Sequence, residues 1–198
     1  MSEDGKRILI LDGHPDPAPQ RFVHALAEAY EQGALEAGFK VQRIRVADLE
    51  FPILRSKADY ERGKPSDSIY PCLDAFEWAS HVVILYPLWL GSTPALLKAL
   101  LEQIIRPGFA FSTGHLGTWP IKYLRGRSVR LVVTMGMSEL AFRFRFGAGS
   151  TGSLESVLLA TSGLRALRTI VIGSAERLSS TKRKQWLAKL KTLGYRGR

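Results

Sequence analysis

The chain is poor in cysteine: Cys72 stands alone among 198 residues. No disulfide can staple the fold, and none is needed, because a chain of this length can bury roughly 70% of its unfolded surface. A lone thiol suits a reducing compartment, so a cytoplasmic location is expected. Cys72 itself reads as a small half-buried residue rather than a nucleophile. Long apolar runs are missing too. The longest, Val82–Leu90 "VVILYPLWL", has nine residues, against the roughly 20 of a membrane helix, so no membrane insertion is expected. "MSEDGKRILIL" lacks the length and small-residue cleavage site of a secretory signal. His14, His24, His81 and His115 show no metal-ligand spacing, and G-x-S-x-G is absent. Neither a metal site nor a serine nucleophile elbow is therefore expected.

Charge is plentiful but spread. The formal net charge is +10, with mild clusters at Arg125–Arg130, Arg143–Arg145 and Lys182–Lys184. Such a balance admits nucleic acid, a membrane surface or anionic small molecules as partners. Dispersed charge reads as a solvated surface, so no nucleic-acid partner is expected.

Five short runs have the composition of strands: Arg7–Leu11, Lys40–Val46, His81–Tyr86, Val129–Thr134 and Thr169–Gly173. The first, third and fourth are nearly continuous apolar runs, as parallel strands covered on both faces require. The second interleaves arginines with Val41, Ile44 and Val46, which places it at a sheet edge. Helical spacing predicts helices over Gln20–Ala37, stopped by Gly38, and over Asp67–Ser80, Pro94–Ile105, Ser153–Thr161 and Ser180–Leu193. In the third of these, Thr93 is the expected cap and Pro94 the first residue. The order β-α-β-α-β-α-β-α-β demands right-handed crossovers and a parallel sheet. We expect one α/β domain over residues 1–198. Its architecture is a flavodoxin-like three-layer sandwich with a five-stranded parallel sheet in order 2-1-3-4-5 and helices on both faces. Two long loops, Ser112–Arg127 and Met137–Ser150, are candidates for function.

In open α/β sheets, ligands bind beyond the carboxyl ends of the strands, where the strand order reverses. Three segments meet there: "DGHPDPAPQRF" (Asp12–Phe22), "YPLWLGSTP" and "TMGMSELAFRFRFGAG". The first has no glycine-rich phosphate motif and no serine or threonine, and Pro15, Pro17 and Pro19 carry no N–H. The amides of Gln20, Arg21 and Phe22, at the start of the helix, are the expected anion donors, with His14 and Arg21 beside them. The second segment offers main chain and apolar surface but no ionisable side chain, which suits a flat aromatic ligand. In the third, "AFRFRF" alternates aromatic and cationic residues, as a lid, a subunit contact, an anion-reading flap or a single-strand nucleic-acid surface would. "GAGSTG" (Gly147–Gly152) matches a dinucleotide fingerprint. Its preceding strand would be "AFRFRF", whose arginines do not suit a strand buried on both faces, so a glycine-rich loop near the site is the better reading.

With these segments in hand, the sequence resembles the flavodoxin-like NAD(P)H:quinone oxidoreductases over nearly its whole length. "YPLWLGSTPALLKALLEQIIRPGFAF" (Tyr86–Phe111) is similar to the family's flavin-ring loop and third helix. "LILDGHPDP" with "RFVHAL" is similar to its phosphate loop, and "LVVTMGM" and "FGAGSTGSLESVLLATSGL" to later segments. The resemblance implies FMN or FAD as cofactor, NADH or NADPH as donor, and hydride passage through flavin to a quinone-like acceptor, in a homodimer. It implies that His14, Gln20, Arg21 and Phe22 approach the flavin phosphate. Pro87, Leu88, Trp89 and Leu90 would line the ring, with Thr134, Met135, Gly136 and Met137 along its other edge. Candidate substrate contacts are Phe111, Trp119, Phe142 and Arg143. Main-chain amides near Trp89–Leu90 or Gly136 would stabilise charge on the reduced ring. Two departures stand out: Ala18, Pro19 and Gln20 replace the hydroxyl residues of many members, and Met137–Ser150 lacks their tyrosine and histidine, so no catalytic side chain is named. A non-enzymatic flavin carrier and a regulatory subunit of a membrane transporter share the resemblance as alternatives.

Overall fold

The structure is a computed structural model that describes residues 5–112, 121–138, 140–141 and 162–198. Six strands form one parallel sheet: β1 (Arg7–Asp12), β2 (Lys40–Arg45), β3 (His81–Pro87), β4 (Ser128–Thr134), β5 (Arg165–Ala166) and β6 (Ile170–Ile172). Their order is β2-β1-β3-β4-β5, with β6 also paired to β4. This is the flavodoxin-like order expected from the sequence. Every residue of β3 and β4 is buried, as is β1 beyond Arg7, which is why these three read as unbroken apolar runs.

Alternate side chains feed two cores. Leu9, Leu11, Val82, Ile84 and Leu131 pack against α3 (Tyr70–Trp78) and α4 (Ala95–Ile104). Ile8, Ile10, Val83, Leu85 and Val132 pack against α1 (Phe22–Glu36) and α5 (Ser180–Tyr195). A short helix, α2 (Lys57–Arg62), lies before α3 and was not expected. Where α1 and α5 cross, the backbones nearly touch. A Cβ on Gly33 would lie 1.9 Å from the Lys191 carbonyl, and one on Gly194 would lie 2.0 Å from that of Tyr30. Only glycine permits that approach. Cys72 is buried, and burial pushes its thiol pKa up.

Three expectations are corrected in detail. Helix α1 begins at Phe22 rather than Gln20, because Arg21 is extended at ψ 128° after a loop that its prolines hold out of the helical region. Pro94 is the capping residue of α4 rather than its first residue, and Thr93 supplies no side-chain cap. The expected last strand, Thr169–Gly173, is β6 (Ile170–Ile172), and a sixth short strand that was not expected, β5, precedes it. Ser128 pairs with Arg165 but Val132 with Ile170, so one extra residue enters between them, as in a β-bulge. Arg130 Nη1 donates to the Arg168 carbonyl at the break, at 2.7 Å. The expected helix over Ser153–Thr161, "GAGSTG" and all of "AFRFRF" beyond Ala141 lie outside the described residues.

Candidate functional site

A cleft of about 370 Å³ opens at the carboxyl ends of β1, β3 and β4, where the strand order reverses. It gathers His14, Gln20, Arg21 and Phe22 from the first loop, Pro87, Leu88 and Trp89 from the second, and Thr134, Met135 and Gly136 from the third. Leu90 and Met137 do not line it. Phe111 lies elsewhere, against the core under α3 and α4. Trp119, Phe142 and Arg143 fall outside the described residues.

The first loop consumes its own amides. Between Pro15 and Pro19 only Asp16 and Ala18 carry an N–H. The Asp16 amide donates to His14 Nδ1 at 3.0 Å, and the Ala18 amide to Asp16 Oδ1 at 2.9 Å. Asp16 thus forms the turn that a serine or threonine forms more weakly. The Arg21 amide donates to the Ala18 carbonyl at 3.2 Å, which removes it from the expected anion donors. Among the described residues, the amides of Phe22 and Val23 make no main-chain bond, and both residues line the cleft. They stand at the positive end of α1. The Arg21 side chain pairs with Asp16 through Nε at 2.7 Å and also through Nη2.

His14 is buried, 5.4 Å from the His24 ring and 6.1 Å edge-on from Trp89, measured between centroids. Burial, and then the nearby His24, lower its pKa. Neutral His14 accepts at Nδ1, so its hydrogen sits on Nε2. Beneath it lies a charged cluster that sequence reading missed. Asp12, fully buried at the end of β1, has its Oδ2 2.8 Å from His24 Nδ1 and accepts from Arg43 Nη2 at 2.7 Å. Arg45 Nη2 donates to the Pro17 carbonyl at 2.9 Å. The arginines that mark β2 as an edge strand therefore also hold the first loop.

In the second loop, Trp89 and Ser92 exchange main-chain hydrogen bonds at 2.9 Å across Leu90 (φ 48°) and Gly91 (φ 78°). Positive φ at both central residues is the type I′ geometry of tight hairpins. The Trp89 amide is thereby used, and the Leu88 amide donates to the Thr134 carbonyl at 2.7 Å. The expected charge-stabilising amides at Trp89 are corrected accordingly. Gly136 lines the cleft, and its amide has no main-chain acceptor among the described residues. Leu90 is fully exposed, while Trp89 is half-exposed with its side chain at the cleft mouth.

The far wall was also missed: Ala175, Glu176 and Arg183 line the cleft. The Arg183 guanidinium stands 4.9 Å over the Phe22 ring and Nη2 donates to the Ala175 carbonyl at 3.2 Å. The carboxyl-end rule, applied to the last strand as well, would have found this segment. Among the described residues, no cluster of three or more metal-ligating side chains occurs.

Comparison with known proteins places this geometry in context. Residues 6–193 match the Flavodoxin_2 family, described by its flavodoxin-like fold. An uncharacterised NAD(P)H oxidoreductase of Haemophilus influenzae is 28% identical over 131 residues, which cover 65% of this chain and 63% of the relative. The chain spans less than two thirds of the length of the curated relatives it matches. Among solved structures, an NAD(P)H:quinone oxidoreductase from Methanothermobacter marburgensis superposes with a TM-score of 0.75 at 20% identity, covering 98% of this chain and 100% of its own. An FMN-dependent NADH-azoreductase from Bacillus anthracis, solved with FMN, gives 0.75 at 16% identity, covering 96% and 98%. At such identities these two likenesses concern the fold, and the match over residues 6–193 decides the family: the chain belongs to the Flavodoxin_2 family of flavodoxin-like proteins.

Proposed function

We propose that this chain is a flavin-dependent NAD(P)H oxidoreductase acting on a quinone or a similar small acceptor. The observation that carries the reading is a single cleft with two chemically different kinds of lining. Phe22 and Val23 at the start of α1, His14, Arg21 and Arg183 supply donors and positive charge. These suit a phosphate. Pro87, Leu88, Trp89 and Met135 supply apolar wall, which suits a flat ring. The names of the relatives, an NAD(P)H oxidoreductase and a quinone oxidoreductase among them, support the same reading.

The residues fit FMN or FAD. When bound, flavin supplies the hydride chemistry that no side chain here offers. The chain's own part is to bind and orient. The start of α1 and its flanking cations would hold the phosphate, Trp89 and Leu88 would shield the ring from water, and the Gly136 amide would be available to it as a donor. Asp16 and Glu176 oppose the phosphate by charge and limit affinity.

A homodimer and a single domain over residues 1–198 belong to the proposal. Exposed Met137 and Leu140, on the segment leaving the cleft, favour the dimer. Among the described residues, no helix is long and apolar enough to cross a membrane. The test is a titration with FMN and with FAD, followed by NADH or NADPH without oxygen. Flavin bleaching that reverses on adding a quinone is the expected result. Failure of both flavins to bind overturns the reading, and binding without bleaching leaves a flavin carrier.

A further inference from the structure

The Asp12–His24–Arg43 cluster lies outside the cleft's lining, yet it is tied to it by a short chain of bonds. His24 Nε2 lies 2.9 Å from the main-chain carbonyl of Asp16, and Nδ1 lies 2.8 Å from Asp12 Oδ2. A carbonyl only accepts, so Nε2 carries a hydrogen. Asp12 Oδ2 also accepts from Arg43 at 2.7 Å, so the His24 ring is anchored through Nδ1 by a carboxyl that β2 holds in turn. Arg43 Nη2 also donates to the His24 carbonyl at 3.3 Å, so β2 holds this residue by its main chain too.

The Asp16 main chain is gripped from both sides. Its carbonyl accepts from His24, and its amide donates to His14 Nδ1 at 3.0 Å. That second bond decides which nitrogen of His14 faces the ligand as a donor. Pro15 and Pro17 flank Asp16, so neither neighbour contributes an N–H that could hold this turn instead. His14 also touches both the His24 ring and Trp89, so a shift of the turn would move the cleft wall.

We propose that His24 is a positioning residue for the anion-binding loop: by donating from Nε2 to the Asp16 carbonyl, it fixes the turn that holds His14 with its Nε2–H directed to the ligand. Asp12 and Arg43 orient His24 for that bond. Binding is tightened because the loop is ordered before the ligand arrives. The depressed pKa of His14 agrees with its acting as a neutral donor.

Two substitutions separate the two bonds of His24. His24→Gln keeps a donor near the Nε2 position and loses the Asp12 contact. His24→Asn keeps a donor near the Nδ1 position and loses the Asp16 contact. Each removes one hydrogen bond, and His24→Gln, which takes a partner from the buried Asp12 carboxyl, should lose at least as much thermal stability as His24→Asn. Flavin affinity, measured by fluorescence quenching, should be about tenfold weaker in His24→Asn and reduced by clearly less in His24→Gln, which keeps the bond to Asp16 but loses the contact that orients it. Equal loss, no loss in either, or the reverse order overturns the proposal. A second readout needs no flavin and no variant. In ¹⁵N-histidine NMR of the wild-type protein, His14 should be the neutral form protonated at Nε2, and His24 should carry a hydrogen on Nε2. His14 protonated at Nδ1, or His24 lacking its Nε2 hydrogen, overturns the proposal. The affinity arm rests on the flavin reading above. The NMR arm does not, so failure of that reading and failure of this one are told apart.

Discussion

Arg21 donates from Nε to the Oδ2 of Asp16 at 2.7 Å, so the cation best placed to meet a phosphate is held by a carboxylate of its own loop. Both side chains remain partly exposed. The Ala18 amide, followed by Arg21, holds the Asp16 carboxyl below its ordinary pKa. It therefore stays ionised to lower pH than an unpaired carboxyl. A group with a depressed folded pKa adds stability above its unfolded value and loses it as pH falls through the folded one, so this turn persists below the usual carboxylate range.

A phosphate entering the cleft must share Arg21 with Asp16. Asp16→Asn keeps the Oδ1 acceptor for the Ala18 amide and removes the charge. We expect it to tighten FMN and FAD binding by up to about fivefold, and Arg21→Ala to weaken binding by a similar factor, the scale of partly exposed charge pairs. Fluorescence titrations of the two variants decide this. Weaker binding by Asp16→Asn would mean that the carboxylate serves the ligand rather than opposing it.

At the opposite end of the sheet, His81 is buried with Nδ1 2.8 Å from Ser128 Oγ, and burial, then the charges of Lys6 and Arg130, hold its pKa at about 3. The folded protein keeps it neutral where the unfolded chain binds a proton. Its contribution therefore favours folding least in acid: stability declines as pH drops below about 6.5, and the decline continues to about 3. The slope from one such group approaches about 1.4 kcal/mol per pH unit. His81→Asn removes the titration. Urea unfolding of both proteins between neutral pH and pH 4 should give a flatter dependence in the variant, whatever its absolute stability. Parallel curves would show that His81 is charged in the folded state.

Every strand but the two-residue β5, and the three loops at the carboxyl ends, were readable in the sequence because each rests on a local pattern. The runs at Ile8–Leu11 and Val82–Tyr86 are apolar since both faces of the sheet are covered. Lys40–Arg45 reads as an edge because its arginines need room. What was not readable depends on distant partners. Nothing near Leu88 indicates that its amide is taken by the Thr134 carbonyl, and nothing near Asp12 indicates Arg43. Arg183 enters the cleft from a helix that reads, by itself, as a basic surface. The start of α1 was missed by two residues because helical spacing was followed into a proline-bound turn.

Leu90 shows how a residue can sit in the right segment and still lie outside the site. Its φ of 48° places it at the first central position of the Trp89–Ser92 turn, a conformation that disfavours a branched apolar side chain and suits asparagine before glycine. Its side chain is fully exposed and does not line the cleft. Leu90→Asn should therefore relieve strain and raise unfolding stability by about 1 kcal/mol, with the Trp89–Ser92 pairing unchanged. Flavin affinity should stay at the wild-type value, since Trp89 keeps its place at the mouth. Urea unfolding and a flavin titration on the same preparation check both halves. Lost stability would mean that the leucine is covered in the assembled protein, and lost affinity with stability retained would return Leu90 to the flavin site.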